Sequence, residues 1–150
     1  MAVALTGNDV AQVNERVLSA LADGDSIAVE ALDDLGAIKA AKNGNILASE
    51  KRAGQAVKVS LRILIGSADD KFLNSLMALQ TQDFSGISLL TGCFSKRVGD
   101  GQGNISTNVY QCANGIIQRV PSIKSSSEGD VEQSVKVYII VYGNCAVSIQ

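Results

Sequence analysis

Ile63-Leu64-Ile65-Gly66-Ser67-Ala68-Asp69-Asp70-Lys71-Phe72-Leu73-Asn74-Ser75-Leu76-Met77-Ala78-Leu79 ends a strand and opens a helix, in a chain otherwise patterned as strands and turns. Ser67 is a good N-cap, and Asp70, three residues on, makes an acidic version of the capping box. Asp69 and Asp70 place negative charge in the first turn, where the helix dipole favours it. Phe72, Leu73, Leu76 and Leu79 recur at helical spacing and define one apolar face. The stretch predicts one short amphipathic helix over 68–79, packed on a sheet and carrying no catalytic residue type.

Working outward, Val57 to Ile65 is the clearest strand, with Val57, Val59, Leu61, Ile63 and Ile65 inward and Lys58, Ser60, Arg62 and Leu64 outward. Upstream, Asp9 to Leu18 alternates weakly, and Ser26 to Leu32 carries Ile27, Val29 and Ala31 on one face. Asp-Gly within Ala22-Asp23-Gly24-Asp25 signals a turn, so these two segments are expected to form a hairpin. Between them and the clear strand lies an arm near 36–54, rich in Ala, Lys, Gly and Asn, with a tight turn expected at Asn43-Gly44. Its flanks hold too few large apolar residues to bury a face in their own domain. Such a segment is either a solvated loop or a contact with another subunit, and contact is the preferred expectation.

Downstream, Phe84 to Phe94 is expected as a strand, and the glycine-rich Val98 to Asn104 as a turn. Ile105 to Ala113 and Ile116 to Val120 are expected as two strands around Asn114-Gly115, closed by Pro121. Lys124 to Asp130 is expected as a polar loop. Val131 to Tyr142 is expected as a long central strand, and Cys145 to Ile149 as a last strand after a turn at Gly143-Asn144. No repeat, low-complexity segment or linker interrupts the chain, so 1–150 is expected to be a single domain. The fold class is mostly β: a β-sandwich or open barrel of about eight strands with one packed helix.

Composition narrows the function. Hydrophobic residues make up 46% and charged residues 19%, which is globular rather than disordered. The formal net charge of −2 rules out a chain that grips nucleic acid by releasing counterions. Histidine is absent, which removes the commonest general base and metal ligand. Tryptophan is absent and aromatics are 4%, too few for a platform that stacks bases or sugars. No apolar run is long enough to span a bilayer, and Met1-Ala2-Val3-Ala4-Leu5 lacks a signal-peptide pattern, which points to folding in a cytoplasm. Cys93, Cys112 and Cys145 read as small buried hydrophobes or as a disulfide between subunits formed after release from the cell; their spacing does not suit zinc.

No cofactor or metal site is expected, and neither is an enzyme. Gly99-Asp100-Gly101-Gln102-Gly103 lacks the strand-to-helix context and the Lys-Ser/Thr pair of a phosphate loop. Asp69-Asp70 is explained by helix capping. Asp33-Asp34 and Asp23/Asp25 do not match a calcium loop. Cys93 has no histidine to activate it.

Gly66-Ser67-Ala68-Asp69-Asp70-Lys71-Phe72-Leu73-Asn74, followed by Phe84-Ser85-Gly86-Ile87-Ser88-Leu89-Leu90-Thr91-Gly92, resembles the tail tube proteins of contractile-tailed bacteriophages. Gly129-Asp130-Val131-Glu132-Gln133-Ser134-Val135-Lys136-Val137-Tyr138 is similar to the closing part of that family, and the resemblance spans residues 55 to 150. Tailocin and type VI secretion tubes share the fold. The resemblance implies a hexameric ring whose strands close a barrel around a channel, with rings stacking into a tube that conducts double-stranded DNA without binding it. It implies partners in itself, the sheath, a baseplate or tube initiator and a tail terminator, and none in a membrane or small-molecule substrate. The implied location is the virion tail, after assembly in the bacterial host cytoplasm.

On that reading the hairpin from Gln12 to Glu30 and the strand Val57 to Ile65 form the barrel. Gln12, Asn14, Ser26, Glu30 and Ser60 are the candidate lumen-facing residues, with Arg16, Lys58 and Arg62 on the same faces. Lys39, Lys42, Asn43, Lys51 and Arg52 are the candidates for contacts between rings, meeting acids such as Asp23, Asp25, Asp33 or Asp34 of a neighbour. The competing class is a β-sandwich binding or adhesion module of a virion, which the scarcity of aromatics disfavours.

Overall fold

The computed structural model describes residues 4–21, 26–124 and 134–150. Among these, ten strands and one α-helix form: β1 (Ala4–Val13), β2 (Arg16–Val17), β3 (Ile27–Ala31), β4 (Gly36–Ala40), β5 (Ile46–Glu50), β6 (Val57–Leu64), α1 (Ala68–Gln82), β7 (Leu90–Gly99), β8 (Ile105–Ile117), β9 (Ser122–Lys124) and β10 (Val135–Ile149). Eight strands make one antiparallel sheet in the order β2-β1-β7-β8-β10-β6-β3, with β9 beside β10, and the sheet is not closed into a barrel. Among the described residues β4 and β5 pair only with each other.

β6 alternates as expected through Val57, Val59, Leu61 and Ile63, which are buried, and Lys58, Ser60, Arg62 and Leu64, which are half-exposed; Ile65, expected inward, lies past the strand's end and is exposed. Opposite them on β10 stand Tyr142, Ile140, Tyr138 and Lys136. The sheet curls so that Ile27 and Val29 of β3 pack into the same core as Phe94 of β7 and Tyr110 of β8. Tyr142 lies at the centre of the curl. A Cβ on Gly115, its cross-strand partner, would sit 2.5 Å from its ring, and one on Gly92 would sit 2.5 Å from its hydroxyl. Glycine is required at both places by close approach, and the ring meets Phe94 edge-on at 6.1 Å.

Several expected boundaries move. The hairpin from Gln12 to Glu30 does not form: Asn14, at φ 55°, turns the chain within Asp9 to Leu18, so that β2 folds back on β1. β1 then pairs β7, and β3 pairs β6. Asn tolerates this left-handed conformation, and its side chain helps by accepting the Thr91 N–H at 3.0 Å. Phe84–Gly86 is a short 3-10 turn, and β7 starts only at Leu90. Asn114-Gly115 does not reverse the chain. Asn114 sits at φ 59° within the continuous β8, where the register to β7 shifts between Leu90 and Gly92. β10 likewise runs unbroken through Gly143-Asn144, with Tyr142 opposite Gly115 and Asn144 opposite Ala113 of β8. The turn expected at 22–25 and the loop expected over 125–130 lie outside the described residues.

Candidate assembly surface

The helix and its seat show what holds the framework. Ser67 Oγ accepts the Asp70 N–H at 3.2 Å, the expected cap. The acids do more than complement the dipole, since Asp69 is 1% and Asp70 5% exposed. Asp69 Oδ2 accepts the backbone N–H groups of Ser19 and Ala20 at 2.7 Å each, and Oδ1 accepts Arg16 Nε at 3.0 Å. Asp70 accepts the Tyr138 hydroxyl at 2.6 Å and the Gly66 N–H at 2.9 Å, and pairs with Lys136 at 3.2 Å. Burial pushes the Asp69 carboxyl up, but the two N–H groups and Arg16 outweigh it and hold it below the ordinary value. Burial likewise opposes ionisation of Asp70, and Tyr138, Gly66 and Lys136 overcome it. Burial and the bond to Asp70 keep Tyr138 protonated.

At its far end the helix is tied by Gln80, whose amide donates to Ile117 O at 2.8 Å and accepts Ile117 N–H at 3.0 Å, as a neighbouring strand would. Gln80 takes the inward place expected of Leu79, which is 62% exposed. The seated stripe therefore runs through Asp69, Leu73 and Gln80, with Phe72, Leu76 and Met77 half-buried against the core. Spacing alone favoured the apolar side chains and missed the polar anchors at both ends. The capping pattern flagged the two acids, but nothing local marked their partners on β2 and β10.

The arm is the opposite case. Every residue of β4 and β5 is exposed. Gly44, at φ 86°, and Asn43, whose Oδ1 accepts the Asn45 N–H at 3.1 Å, make the expected turn at the tip. Register places Ile38 opposite Ala48 and Ala40 opposite Ile46, so one face of the ribbon is apolar. Ala37 and Ser49, Lys39 and Leu47 make the other face. Ile38 is 74% and Ile46 70% exposed, and Leu35 at the root is 69% exposed. An isolated two-stranded ribbon is marginal in water, and one with an uncovered apolar face needs another surface to bury it.

The candidate residues divide between these regions. Ser60 on β6 stands opposite Ala28, and Glu30 on β3 opposite Lys58, so Ser60 and Glu30 share a face of the sheet with Lys58 and Arg62. Ser26 sits just before β3, its carbonyl accepting the Arg62 N–H at 2.9 Å. Gln12 on β1, between buried Ala11 and Val13, also points away from the core, but it and Asn14 in the β1–β2 turn lie near the opposite edge of the sheet, several strands away. Lys39 lies on β4, and Lys42 and Asn43 at the tip. Lys51 reaches Asp33 of its own chain at 3.7 Å, both exposed. The Arg52 side chain and the acids Asp23 and Asp25 lie outside what the structure describes.

Other candidate chemistry is accounted for locally. Asp100 Oδ1 accepts the N–H groups of Gln102 at 2.7 Å and Asn104 at 3.2 Å, closing the glycine-rich turn on itself. Among the described residues no three His, Cys, Asp or Glu side chains converge as a metal site. No described helix is long and apolar enough to cross a membrane. Cys112 and Cys145 are buried beside each other, and Cys93 is half-exposed.

No protein-family model matches the chain. No curated protein matches it in sequence. Its fold, however, recurs in contractile injection machines. The sheath/tube terminator of the extracellular contractile injection system PVC superposes with a TM-score of 0.60 at 12% identity, over 96% of this chain and 94% of that one. A chain of the PVC sheath–tube complex gives 0.61 at 10% identity, over 95% and 87%. The tube-terminating cap of the anti-feeding prophage gives 0.60 at 12% identity, over 97% and 89%. At this identity the likeness defines the fold: that of structural chains of contractile injection systems.

Proposed function

We propose that this chain is a structural subunit of a contractile tail, assembling with copies of itself into hexameric rings that stack as the inner tube of a bacteriophage tail or a related injection machine. The observation that carries the proposal is the exposed arm. Its apolar face of Ile38, Ala40, Ile46 and Ala48 is fully formed by register and has no cover among the described residues. A second copy supplies that cover. The sheet also ends in two open edges, β3 and the β1–β2 side, which pairing around a ring would satisfy.

In the ring, the sheet face bearing Ser60 and Glu30 lines the channel. Glu30 stands opposite Lys58 there and Arg62 shares the face, so the wall is polar, and acids of a neighbouring subunit balance the excess positive charge and let phosphate slide past. DNA slides through, and the subunit does no chemistry. Lys39, Lys42 and Asn43 meet the next ring, where charge sets register more than affinity. The sheath covers the tube, a baseplate initiator starts it and a terminator ends it. Assembly takes place in the bacterial host cytoplasm, and the product resides in the tail.

A second reading has its own support: two of the three structural neighbours described above are terminator or cap chains. A terminator would form one ring and stop. Negative-stain electron microscopy of concentrated protein separates the two. Hollow tubes of varying length support the repeating subunit, and single rings with sixfold end views support the terminator. Particles that stay monomeric, even with preformed tail tips as nuclei, overturn both and favour the binding-module alternative.

A further inference from the structure

Cys112 on β8 and Cys145 on β10 are cross-strand partners, and their sulfurs lie 3.0 Å apart. Directly opposed residues of an antiparallel pair have Cα atoms about 4.5–5.5 Å apart, inside the range a disulfide spans. Both side chains already point at each other in the core, so bridging requires no strand to move. We propose that Cys112 and Cys145 form an intrachain disulfide once the protein leaves a reducing cytoplasm, stapling the last third of β10 to β8. Cys93 is the thiol left over.

The environment says how the bridge forms. Burial raises the Cys112 thiol far above its ordinary pKa and makes it a poor first nucleophile. Cys145 borders an open cleft of about 560 Å³, lined also by Val29, Leu35, Tyr110 and Val147. Of the pair, Cys145 is therefore the one that a low-molecular-weight disulfide such as oxidised glutathione reaches first. The Cys145 thiol loses its proton and its sulfur attacks, releasing one glutathione thiol and leaving a mixed disulfide. Cys112 sulfur, also losing its proton, then attacks Cys145 Sγ and releases the second glutathione. Two protein thiols are oxidised and one glutathione disulfide is reduced to two thiols.

The bridge has a use in this fold. Residues beyond Tyr142 make the largely exposed end of β10, where Val147, Ser148 and Ile149 pair, among the described strands, with β8 alone. β9 and β6 brace only the earlier part of the strand. A covalent link at Cys145 pins that end without depending on assembly, and it closes a loop of the chain in the unfolded state.

The test uses the purified full chain, incubated with oxidised glutathione in sub-denaturing urea so that access does not limit the reaction, then unfolded and alkylated with N-ethylmaleimide. The expected result is a linked peptide pair holding Cys112 and Cys145, a monomer on a non-reducing gel, and Cys93, the third thiol of the sequence, either alkylated or carrying glutathione. Cys93→Ser should form the same link with no thiol left to alkylate. Oxidised protein should melt roughly 10 °C above reduced protein. Three alkylated thiols, or any bridge through Cys93, would overturn the proposal.

Discussion

The seat of the helix and the arm are built from the same raw material, short strands with alternating side chains, yet they resolve it in opposite ways. Around α1 every inward polar group has a partner inside the chain: Asp69 has Ser19, Ala20 and Arg16, Asp70 has Tyr138, Gly66 and Lys136, and Gln80 has both polar groups of Ile117. In β4–β5 the backbone is paired and the turn is well formed, but the apolar face is bare. One region spends its interactions on folding. The other withholds them for a partner. The difference teaches where to expect stability effects and where to expect assembly effects.

The comparison is tested most severely by Tyr138→Ala, which empties a fully buried site and strips Asp70 of its shortest hydrogen bond. A loss of about 4 kcal/mol in urea unfolding is expected. Asp69→Ala should cost somewhat less, about 3 kcal/mol, because two backbone N–H groups are left without an acceptor while half-exposed Arg16 turns to water. If either variant unfolds like the parent, the helix seat is not what holds the framework.

Acid acts on the same region more gently. Both carboxyls are held below their ordinary value of 3.8, so the folded chain takes up these protons less readily than the unfolded one. Their contribution is complete above about pH 4 and is lost as pH falls through the lower folded values. Thermal melts should drop by a few degrees as pH falls from about 5 to 3, and the drop should be shallower in Asp69→Ala. An equally steep fall in both proteins would assign the acid sensitivity elsewhere.

The arm should show the smallest effect on stability. Ile38→Ser combined with Ile46→Ser should change urea unfolding of the unassembled chain by no more than about 0.5 kcal/mol, since both side chains are already in water. The same variant should lose rings or tubes in light scattering and electron microscopy. A large stability loss would mean the arm folds against its own domain; intact assembly would mean its apolar face is not the contact.

Much of this was legible in residues close together in the chain. Ser67 with Asp70 announced the helix start, the period of two from Val57 to Ile63 announced the buried face of β6, and Asn43-Gly44 announced the arm's turn. What failed was non-local. Asp9 to Leu18 reads as one strand because a single Asn at φ 55° leaves little trace in a hydrophobicity pattern. The pairing of β1 with β7, and of β3 with β6, depends on which distant strand offers a matching inward face. The lumen candidates separated for that reason: Ser60 and Glu30 lie together on β6 and β3, while Gln12, outward between buried Ala11 and Val13, and Asn14 went with β1 to the far edge of the sheet.

By itself the sequence determined the mostly β class, the single capped helix, the strand from Val57, the arm and the lack of any histidine, because these follow from side-chain period, turn chemistry and composition. Tertiary structure alone decided that Asp69 and Asp70 are buried anchors, that Gln80 replaces Leu79 at the helix seat, that Tyr142 rests over Gly92 and Gly115, and that Cys112 faces Cys145. Each of these is a contact between residues more than twenty positions apart. Its energy exists only when the sheet has curled and its registers are set, and no local pattern carries that information.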